Sequence, residues 1–386
     1  MTDPDLRPAP DDLQLIAVEG KTLLNAFIRL QPDIHKDDPN WITPLEMERQ
    51  ALLDPNKNPY FEHAIAKYWL VQRNGKYVGR ISAQIDQMAI KEQGEPIGHF
   101  GMLACIDDAK VADLLLTTAE NWLREQGMVK VQGPMNLSIN QEVGLMVEGF
   151  DTPSMMLMPH DKPYLQKMLT DAGYESAVDL LAYIRDANTL FPEKLRKLAE
   201  RGAGGKVTLR KLDMKRYDEE IETIVSIFNE GWHTNWGFVP MTDSEVKHMA
   251  DELRPIIEPE LACFAEIDGE SAGFFVCVPD VNEMIRGLNG KLLPFGWLKL
   301  LWRMKVRGPK TARVMLMGVR KKFSAGMLGQ FLPFRMIYFV EPYLKKSPLE
   351  QVEMGWILAD NMPVRRLIER VGGKVYKKYK VFEKAL

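Results

Sequence analysis

The sequence predicts an α/β protein of two similar lobes, because landmarks of its first half recur in the same order in its second half. Each half contains two β-rich runs joined by a turn dipeptide, Asn74-Gly75 or Asp268-Gly269, and such dipeptides favour two-residue β-hairpins. Later in each half, a helix that ends in glycine is followed by a strand, at 162–184 and 361–384. Each lobe is therefore predicted to hold a mixed, mostly antiparallel sheet flanked by helices.

In the first half, the strongest helix signal is residues 109–127, whose apolar side chains recur on one face. The other elements follow from β-rich runs and turn residues. They are leading helices at 20–30 and 44–53, a hairpin at 66–86, strands at 99–107 and 129–138, and the helix and strand at 162–184.

The second half repeats this order, and Thr242-Asp243-Ser244 provides a typical N-cap for one of its leading helices. Its elements are helices at 217–231 and 242–257, a hairpin at 261–280, a strand at 313–319, a helix within 326–345, a strand at 353–359 and the helix and strand at 361–384. We predict lobes at 1–190 and 207–386, joined by a linker at 191–206 that ends in a glycine-rich run.

Composition restricts the class of protein. Of the 386 residues, 46% are hydrophobic and 27% charged, which is typical of globular domains. No apolar run is long enough to span a bilayer and the first residues do not resemble an export signal, so we expect a cytoplasmic protein. Three cysteines without a paired spacing predict neither disulfides nor a zinc site, and no metal is expected.

The net charge of −3 hides an asymmetry between the halves. Residues 1–190 carry 17 Lys and Arg against 28 Asp and Glu, a net of −11, whereas residues 191–386 carry 33 against 25, a net of +8. The second half therefore favours an anionic ligand. Its aromatic residues cluster with Leu and Met rather than with Lys and Arg, so no nucleic acid partner is expected.

Two motifs carry a family resemblance. The segment NMPVRRLIERVGG (361–373) is similar to the penultimate helix of the GNAT superfamily of acyl-CoA-dependent N-acyltransferases, and the layout resembles a tandem arrangement of two such lobes. The segment GPMNLSINQEVG (133–144), with Gly149-Phe150-Asp151 and Gly173-Tyr174, resembles a bacterial GNAT-like family near the bacterial ceramide synthases. The resemblance implies acyl-CoA as co-substrate and an amine as acceptor.

The resemblance places CoA in the second lobe, because the superfamily binds its pyrophosphate at a glycine-containing loop before a helix. In the first lobe the equivalent stretch begins with Asp107 and Asp108, which would repel phosphate. The second-lobe loop departs from the usual pattern, with offset glycines and Phe323 in place of Arg or Gln. The predicted donor-binding residues are Val319, Arg320, Lys321, Lys322, Gly326, Gly329 and Asn361.

A second departure concerns the tyrosine that often donates a proton to the leaving thiolate in this superfamily. Ile368 and Leu169 occupy its place in the two lobes, so the general acid stays unassigned. Tyr376 and Tyr379 lie nearby, but a tyrosine on an amphipathic strand is more often a packing residue.

Two regions carry candidate bases and acceptor contacts. In the segment EGWHTNWGF (230–238), His233 is a base candidate, and Trp232, Asn235 and Trp236 are candidate substrate contacts. The alternative is a loop anchored by its tryptophans. In the other region, alternation predicts an extended chain that presents a polar row on one face, either a substrate site or a half-exposed strand. The row comprises Asn136, Ser138, Asn140 and Glu142, with Glu142 the second base candidate.

Glu353 and Asn361 flank the last central strand of the second lobe and are candidate contacts for substrate or pantetheine, with a helix cap as the alternative for Asn361. The insertion KLLPFGWLKLLWRMK (291–305) combines apolar residues, two tryptophans and cations. It is too short to cross a membrane and resembles either an interfacial helix or a lid over an acyl chain. A helix packed between the lobes is the alternative.

Taken with the resemblance, these features favour N-acylation of an amine, such as a sphingoid-like lipid, with a long acyl chain at the cytoplasmic membrane face. A non-catalytic protein that binds lipid or acyl-CoA stays open, since the usual tyrosine and loop glycines are missing. Acylation of a peptide or aminoacyl acceptor is a third hypothesis, and it predicts no dependence on a membrane.

Overall fold

The structure is a computed structural model, and it describes residues 13–201 and 207–386. The chain forms two compact units. The first contains the described residues up to Pro153, Met158–Val178 and Tyr379–Leu386; the second contains Ser154–Leu157 and the described part of Asp179–Lys378. The lobe boundaries expected from the sequence stay a prediction, and residues 202–206 of the expected linker lie outside the described residues.

The first unit contains the elements expected for the first half, with an edge strand and a short helix that the sequence did not indicate. In order they are β1 (Leu13–Ala17), α1 (Gly20–Ile34), α2 (Glu46–Leu52), a 3₁₀ turn (Pro59–Glu62), β2 (Ala64–Arg73), β3 (Lys76–Asp86), α3 (Gln87–Gln93), β4 (Ile97–Cys105), α4 (Ala109–Glu125), β5 (Lys130–Gly133), β6 (Met135–Asn136), β7 (Glu142–Val143), β8 (Leu145–Glu148), α5 (Tyr164–Asp171) and the start of β9 (Glu175–Asp186).

In the first unit, each of the strands β1 to β4 pairs antiparallel with the next one along the chain. Strands β4 and β5 pair parallel, and β5 pairs antiparallel with the end of the chain at Phe382–Ala385. The hairpin at Asn74-Gly75 is confirmed, and both residues have positive φ, 50° and 77°, as a type I′ turn requires. Helix α4 buries Val111, Leu115 and other apolar residues in the core of this unit, as its periodicity predicts.

The second unit also follows the expected order. Its elements are the rest of β9, α6 (Glu193–Arg201), β10 (Val207–Lys211), a 3₁₀ turn (Met214–Arg216), α7 (Tyr217–Trp232), α8 (Asp243–Leu253), a 3₁₀ turn (Pro259–Leu261), β11 (Ala262–Ile267), β12 (Glu270–Pro279), α9 (Val281–Ile285), α10 (Gly296–Trp302), a π turn (Arg303–Arg307), β13 (Thr311–Val319), α11 (Lys321–Ser324), α12 (Gly326–Leu344), β14 (Gln351–Leu358), α13 (Met362–Arg370) and the start of β15 (Lys374–Ala385).

The sheet of the second unit has the strand order β9-β14-β13-β12-β11-β10, and β13 and β14 pair parallel while the other neighbours pair antiparallel. The cap predicted for α8 is confirmed as a capping box, because Thr242 Oγ1 accepts from the Glu245 amide at 3.2 Å and Glu245 accepts from the Thr242 amide at 2.8 Å. The predicted fold class, a mixed and mostly antiparallel sheet flanked by helices in each lobe, is confirmed.

Candidate active site

A parallel strand pair in each unit separates before its strands end. Strands β4 and β5 pair over Ile97–His99, although β4 continues to Cys105. Strands β13 and β14 pair over Thr311–Val314, although β13 continues to Val319. We call these openings the first fork and the second fork. Beyond the last pair, each strand has backbone groups that must bond to something other than its parallel neighbour.

The first fork is filled by the protein itself. A Cβ at Gly101 would lie 1.8 Å from the carbonyl oxygen of Met135, so only glycine allows this approach of the two backbones. The amide of Met102 donates to Asn136 Oδ1 at 2.7 Å, and Gln84 Nε2 donates to the Met135 carbonyl at 2.6 Å. All nine residues of β4 are buried. The first fork therefore leaves its strand no free edge for a ligand.

The polar row expected at 136–142 is wrong as a single extended face. Strands β6 and β7 form a two-stranded hairpin in which Asn136 lies opposite Glu142. The chain reverses between them, with Leu137 at a φ of 80° and Ser138 Oγ accepting from the Asn140 amide at 3.1 Å. Alternation in the sequence did not reveal this turn, because it uses no glycine or proline between the two strands.

Glu142, a predicted base, is held on both oxygens. Arg49 forms an ion pair with Oε1, and Asn136 Nδ2 donates to Oε2 at 2.6 Å. Burial by itself would raise the pKa of Glu142, but the Arg49 charge and these hydrogen bonds lower it below its ordinary value. A carboxylate with a lowered pKa and both oxygens occupied is a weak proton acceptor.

The second fork differs from the first because its strands are only partly buried. Met315, Leu316 and Met317 of β13 and Gly355 and Trp356 of β14 are all half-buried. These positions follow the last parallel pair of the two strands. The second fork therefore presents strand residues that are still accessible, as a ligand-binding fork requires.

A carboxyl group lies at the root of the second fork. Glu353 is 0% exposed, and its Oε1 lies 3.1 Å from Nε of the buried Arg313. The hydroxyl of Tyr376, a half-buried residue, donates to Glu353 Oε2. Burial raises the pKa of Glu353 despite Arg313 and Tyr376, which lower it. Sequence reasoning proposed Glu353 as a substrate contact and regarded Tyr376 mainly as packing, and it missed their pairing, which joins two strands.

The predicted acceptor segment lies at the end of α7. Trp232 packs on Phe228, with ring centroids 4.8 Å apart, and a Cβ at Gly318 of β13 would lie 2.8 Å from its ring. Trp232 thus contacts a strand of the second fork. Trp236 and Asn235 are half-buried, and the Asn235 amide donates to the Trp232 carbonyl at 2.8 Å.

His233 is exposed and already bonded at both nitrogens. Nδ1 lies 3.2 Å from the Glu230 carbonyl, and Nε2 lies 3.0 Å from Lys321 Nζ. Since a carbonyl only accepts and an ammonium only donates, His233 is the Nδ1–H tautomer and Nε2 accepts from Lys321. The lone pair that a base would use is therefore occupied by a lysine of the predicted donor loop.

Two cations of the predicted donor loop, Arg320 and Lys322, pair with carboxylates, and the ammonium of Lys321 bonds to His233. Arg320 Nη1 donates to Glu230 Oε2 at 2.9 Å, the Lys321 amide donates to Glu230 Oε1 at 2.8 Å, and Lys322 forms an ion pair with Glu270. These groups follow directly on Val319, the last residue of β13. An anionic donor would have to compete with Glu230 and Glu270 for the loop.

The loop leads into the N-terminus of the 19-residue helix α12. Its N-cap is Ala325, whose side chain cannot accept a hydrogen bond from the first amides. A Cβ at Gly329 would lie 2.0 Å from the Phe323 carbonyl, so glycine is required where the loop packs on the helix. In the first unit, Asp108 occupies the N-cap of α4, accepts from the Lys110 amide and pairs with Arg73 at 2.8 Å.

The helix cap expected as the alternative for Asn361 is present, because its Oδ1 accepts from the Val364 amide at 3.3 Å at the start of α13. Ile368, in the place of the family's tyrosine, is 3% exposed and packs with Tyr183 and Met354. These contacts assign a structural role to both positions. A further role of Asn361 toward a ligand stays a prediction.

The apolar insertion lies at the surface, so the alternative of a buried helix is wrong. Leu293, Phe295, Trp302 and Val306 are 55–79% exposed, and Trp297, Leu298 and Leu301 are also exposed. The π turn that follows α10 is attached to the rest of the second unit through Arg303, which donates to the carbonyls of Met284 and Arg286. Within 13–201 and 207–386, no helix is long and apolar enough to span a membrane.

Three potential metal ligands, His35, Asp38 and His160, have ligand atoms within 4.8 Å of one another in the first unit. His160 Nε2 lies 3.0 Å from Asp38 Oδ2, and His35 stacks on Trp41 at 4.1 Å. Burial lowers the pKa of His35 to about 3. Sequence reasoning missed this group because its members are far apart in the chain.

Comparison with known proteins decides the family. The chain is 47% identical over 376 residues to the bacterial ceramide synthase of Caulobacter vibrioides, a match that covers 97% of this chain and 98% of that protein. The chain belongs to the bacterial ceramide synthase family. Protein YghO of Escherichia coli K12 is 42% identical over 368 residues, covering 95% and 94% of the two chains. No family model matches the chain.

Solved structures confirm the tandem GNAT fold of this ceramide synthase family member. A tandem GNAT protein from the clavulanic acid biosynthesis pathway superposes with a TM-score of 0.57 at 12% identity and covers 97% of this chain and 98% of its own. A GCN5-related N-acetyltransferase from Sphaerobacter thermophilus gives 0.54 at 13% identity, with coverages of 96% and 95%. Family and fold together support an N-acyltransferase.

Proposed function

We propose that the protein transfers a long acyl chain from acyl-CoA to the amino group of a lipid, sphingoid-like acceptor, as the name of the Caulobacter relative suggests. The donor is assigned to the second unit. The contrast between two equivalent helices carries this assignment: the N-terminus of α12 follows a basic loop and has Ala325 as its N-cap, whereas α4 is capped by Asp108. Helix amides without a side-chain cap and a basic loop favour the phosphates of CoA, which would replace the present carboxylate partners of the loop, and the carboxylate at the N-cap of α4 repels phosphate.

In the proposed reaction the acceptor nitrogen attacks the thioester carbon, a C–N bond forms, the C–S bond breaks, and CoA leaves as a thiolate that takes a proton. Backbone N–H groups near Val319 would polarise the carbonyl oxygen. No covalent acyl-enzyme is needed, because the fork would hold amine and thioester together.

We assign the protonation of the thiolate to Tyr376 and Glu353. Tyr376 would give its hydroxyl proton to sulfur, and the tyrosinate oxygen would regain a proton from solvent or from Glu353 once that carboxyl, whose pKa burial raises, has been protonated. The amine's proton would pass to solvent or to one of the bases proposed from the sequence. His233 accepts a hydrogen bond from Lys321, and Glu142 is bonded to Arg49, so both would first have to lose a partner.

We further propose that α10 and the π turn contact the cytoplasmic membrane surface, so that a lipid acceptor can enter without crossing water. The exposed tryptophans and leucines would insert among lipid headgroups, and Lys299 and Lys305 would face anionic lipids. This arrangement makes the protein a peripheral one on the inner face of the membrane.

The test is acyl transfer by the purified full chain, with palmitoyl-CoA or acetyl-CoA as donor and sphinganine, amino acids and a short peptide as acceptors. Thiol release that depends on sphinganine and palmitoyl-CoA, with the amide confirmed by mass, is expected. Transfer to a peptide or aminoacyl amine instead would replace the lipid acceptor. Tight palmitoyl-CoA binding without any amide product would favour the non-catalytic binding protein.

A further inference from the structure

A narrow pocket in the first unit is lined by three arginines. It opens beside α1 and α2, and it borders the filled first fork at Met102 and Asn136. The residues around it form apolar walls and polar groups, and those that carry charge or hydrogen-bonding capacity are Arg29, Gln31, Thr43, Glu46, Arg49, Arg80 and Asn136. All of them except Thr43 lie on α1, α2, β3 or β6, so the pocket is built mainly on regular elements.

Arg80 is the deepest of the three arginines, with 5% of its surface exposed. Its Nη1 donates to the Phe27 carbonyl at 2.8 Å, and its Nη2 donates to Gln31 Oε1. Its Nε has no hydrogen-bond partner among the residues that the structure describes. The guanidinium is therefore fixed in place with a donor to spare.

The charge of Arg80 lacks a carboxylate of its own in the described part of the chain. The nearest acid that acts on it is Glu142, which is already paired with Arg49 and bonded to Asn136. Two arginines thus share one carboxylate inside the protein. A buried cation without a counter-ion is costly, and proteins usually supply a partner or a ligand for it.

The second unit shows the usual solution. Arg313 is buried to the same degree as Arg80, 5% exposed, and its Nε lies 3.1 Å from the Glu353 carboxylate. Glu46 of the first-unit pocket cannot play this part, because both of its oxygens bind Arg29 at 2.8 and 3.1 Å. Arg80 therefore differs from Arg313, because it is a buried cation that lines a pocket and has no carboxylate beside it in the described part of the chain.

We propose that this pocket binds an anionic group of a ligand, a phosphate or a carboxylate, with Arg80 as its main contact. The guanidinium offers Nε together with the remaining Nη protons, a fork that matches either oxyanion. Arg29, whose side chain is 57% exposed, attracts the anion at the mouth. This inference is independent of the proposed acyl transfer, because it concerns binding in the other unit.

The experiment measures binding of inorganic phosphate and of acetate to the full chain, by calorimetry and by thermal shift, against sodium chloride at matched ionic strength. We expect one of the two anions to bind and to raise Tm. Arg80→Lys and Arg29→Gln should each weaken it, Arg80→Lys by about tenfold, and Arg216→Gln, an exposed arginine paired with Glu219, should bind as the wild type does.

The anion that binds more tightly identifies the chemical class of the natural ligand: phosphate indicates a phosphate ester, and acetate indicates a carboxylic acid. If Arg80→Lys fails to fold because the bond to Phe27 is lost, Arg29→Gln decides alone. The inference is overturned if neither anion binds better than chloride or if Arg29→Gln and any folded Arg80→Lys bind normally. It is also overturned if Lys321→Gln abolishes the binding, since the anion would then occupy the loop before α12.

Discussion

The two forks of this protein arise from the same pattern of strands, yet the chain completes them in opposite ways. In the first unit, Gly101 lets the Met135 backbone enter the fork, and Asn136 takes up a free amide of β4. In the second unit, β13 and β14 separate and stay half-buried. A fork satisfied by its own chain gains stability. In the second fork Arg313 Nη2 bonds the Gly355 carbonyl at 2.8 Å, but the strand residues beyond the last parallel pair stay half-buried and accessible to a ligand.

Each unit also places a glutamate near its fork and a buried aspartate whose pKa the glutamate's charge raises. Glu142 is kept ionised by Arg49, whereas burial raises the pKa of Glu353. Asp161 and Asp280 each accept a backbone amide, from Met146 and Met156, at 2.8 and 2.9 Å. The difference teaches that the first unit uses its carboxylate to hold structure, while in the second unit burial shifts the carboxyl toward its protonated form.

The largest expected effect comes from Asp161→Asn. Burial, with the Glu142 charge, raises the pKa of Asp161 to about 7 from an ordinary value of 3.8. The folded state therefore loses stability as pH rises from about 4 to 7, and the full loss is on the order of 4 kcal/mol. Asparagine does not ionise, so the variant should unfold at a higher urea concentration at pH 8 and at the wild-type concentration near pH 4.

The matched variant Asp171→Asn removes an exposed aspartate paired with Lys167, and it should change stability little at either pH. Asp280→Asn should gain less than Asp161→Asn at pH 8, because the pKa of Asp280 is raised only to about 6 and both of its oxygens accept backbone amides, one of which asparagine would lose. Equal gains for Asp161→Asn at pH 4 and pH 8 would contradict a titrating carboxyl.

The next effect concerns chemistry in the second fork. Tyr376→Phe removes the hydroxyl that donates to Glu353 and should lower kcat about a hundredfold with little change in KM, since general acid catalysis is worth that much or more. Tyr338→Phe is the control, because its exposed hydroxyl bonds only Glu200 among the contacts described. A loss in Tyr376→Phe no larger than that in Tyr338→Phe would contradict the assignment of thiolate protonation to Tyr376, whereas a loss in His233→Gln or Glu142→Gln would report on the separate removal of the amine's proton.

The third prediction concerns the N-cap of α12, which is replaced by the residue type that caps α4 in the first unit. Ala325→Asp places a carboxylate at the N-cap of α12, as Asp108 does for α4, and should weaken palmitoyl-CoA binding about tenfold through repulsion of phosphate. Ala325→Asn caps the same amides without the charge and should weaken it less. Unchanged affinity in both variants, measured by calorimetry, would exclude this helix N-terminus as the donor site.

Local features of the fold were predictable from the sequence, because neighbouring residues decide them. The turns at Asn74-Gly75 and Asp268-Gly269 and the cap at Thr242 needed only short-range patterns. Pairing of the chain end with β5 was not predictable, because its partner, Gly133, is distant in the chain. The hairpin at 136–142 was misjudged because Leu137 adopts a positive φ and no glycine or proline marks the turn.

The site was predictable only in part, for the same reason. The sequence indicated Glu353 and the loop before α12, which lie next to recognisable elements. It did not show that the Tyr376 hydroxyl donates to Glu353, that the Lys321 ammonium donates to His233, or that Arg80 lines a pocket. Each of these contacts joins separate elements, and no spacing within one segment encodes it.

The smallest expected effect concerns the apolar surface of the second unit. Leu298 and Trp302 are 48% and 55% exposed, so Leu298→Ser and Trp302→Ser should leave Tm unchanged while each weakens binding to anionic phosphatidylglycerol vesicles about fivefold. Met47→Ser, at a 62% exposed methionine of the first unit, should leave vesicle binding unchanged. Equal vesicle binding by all three variants in a flotation assay would show that this surface does not contact the membrane. An exposed apolar surface lowers solubility, so if this one does not bind lipid it is expected to bind something else. Its tryptophan side chains are rigid and amphipathic, and such side chains are enriched in protein–protein interfaces, so a protein partner would then be favoured.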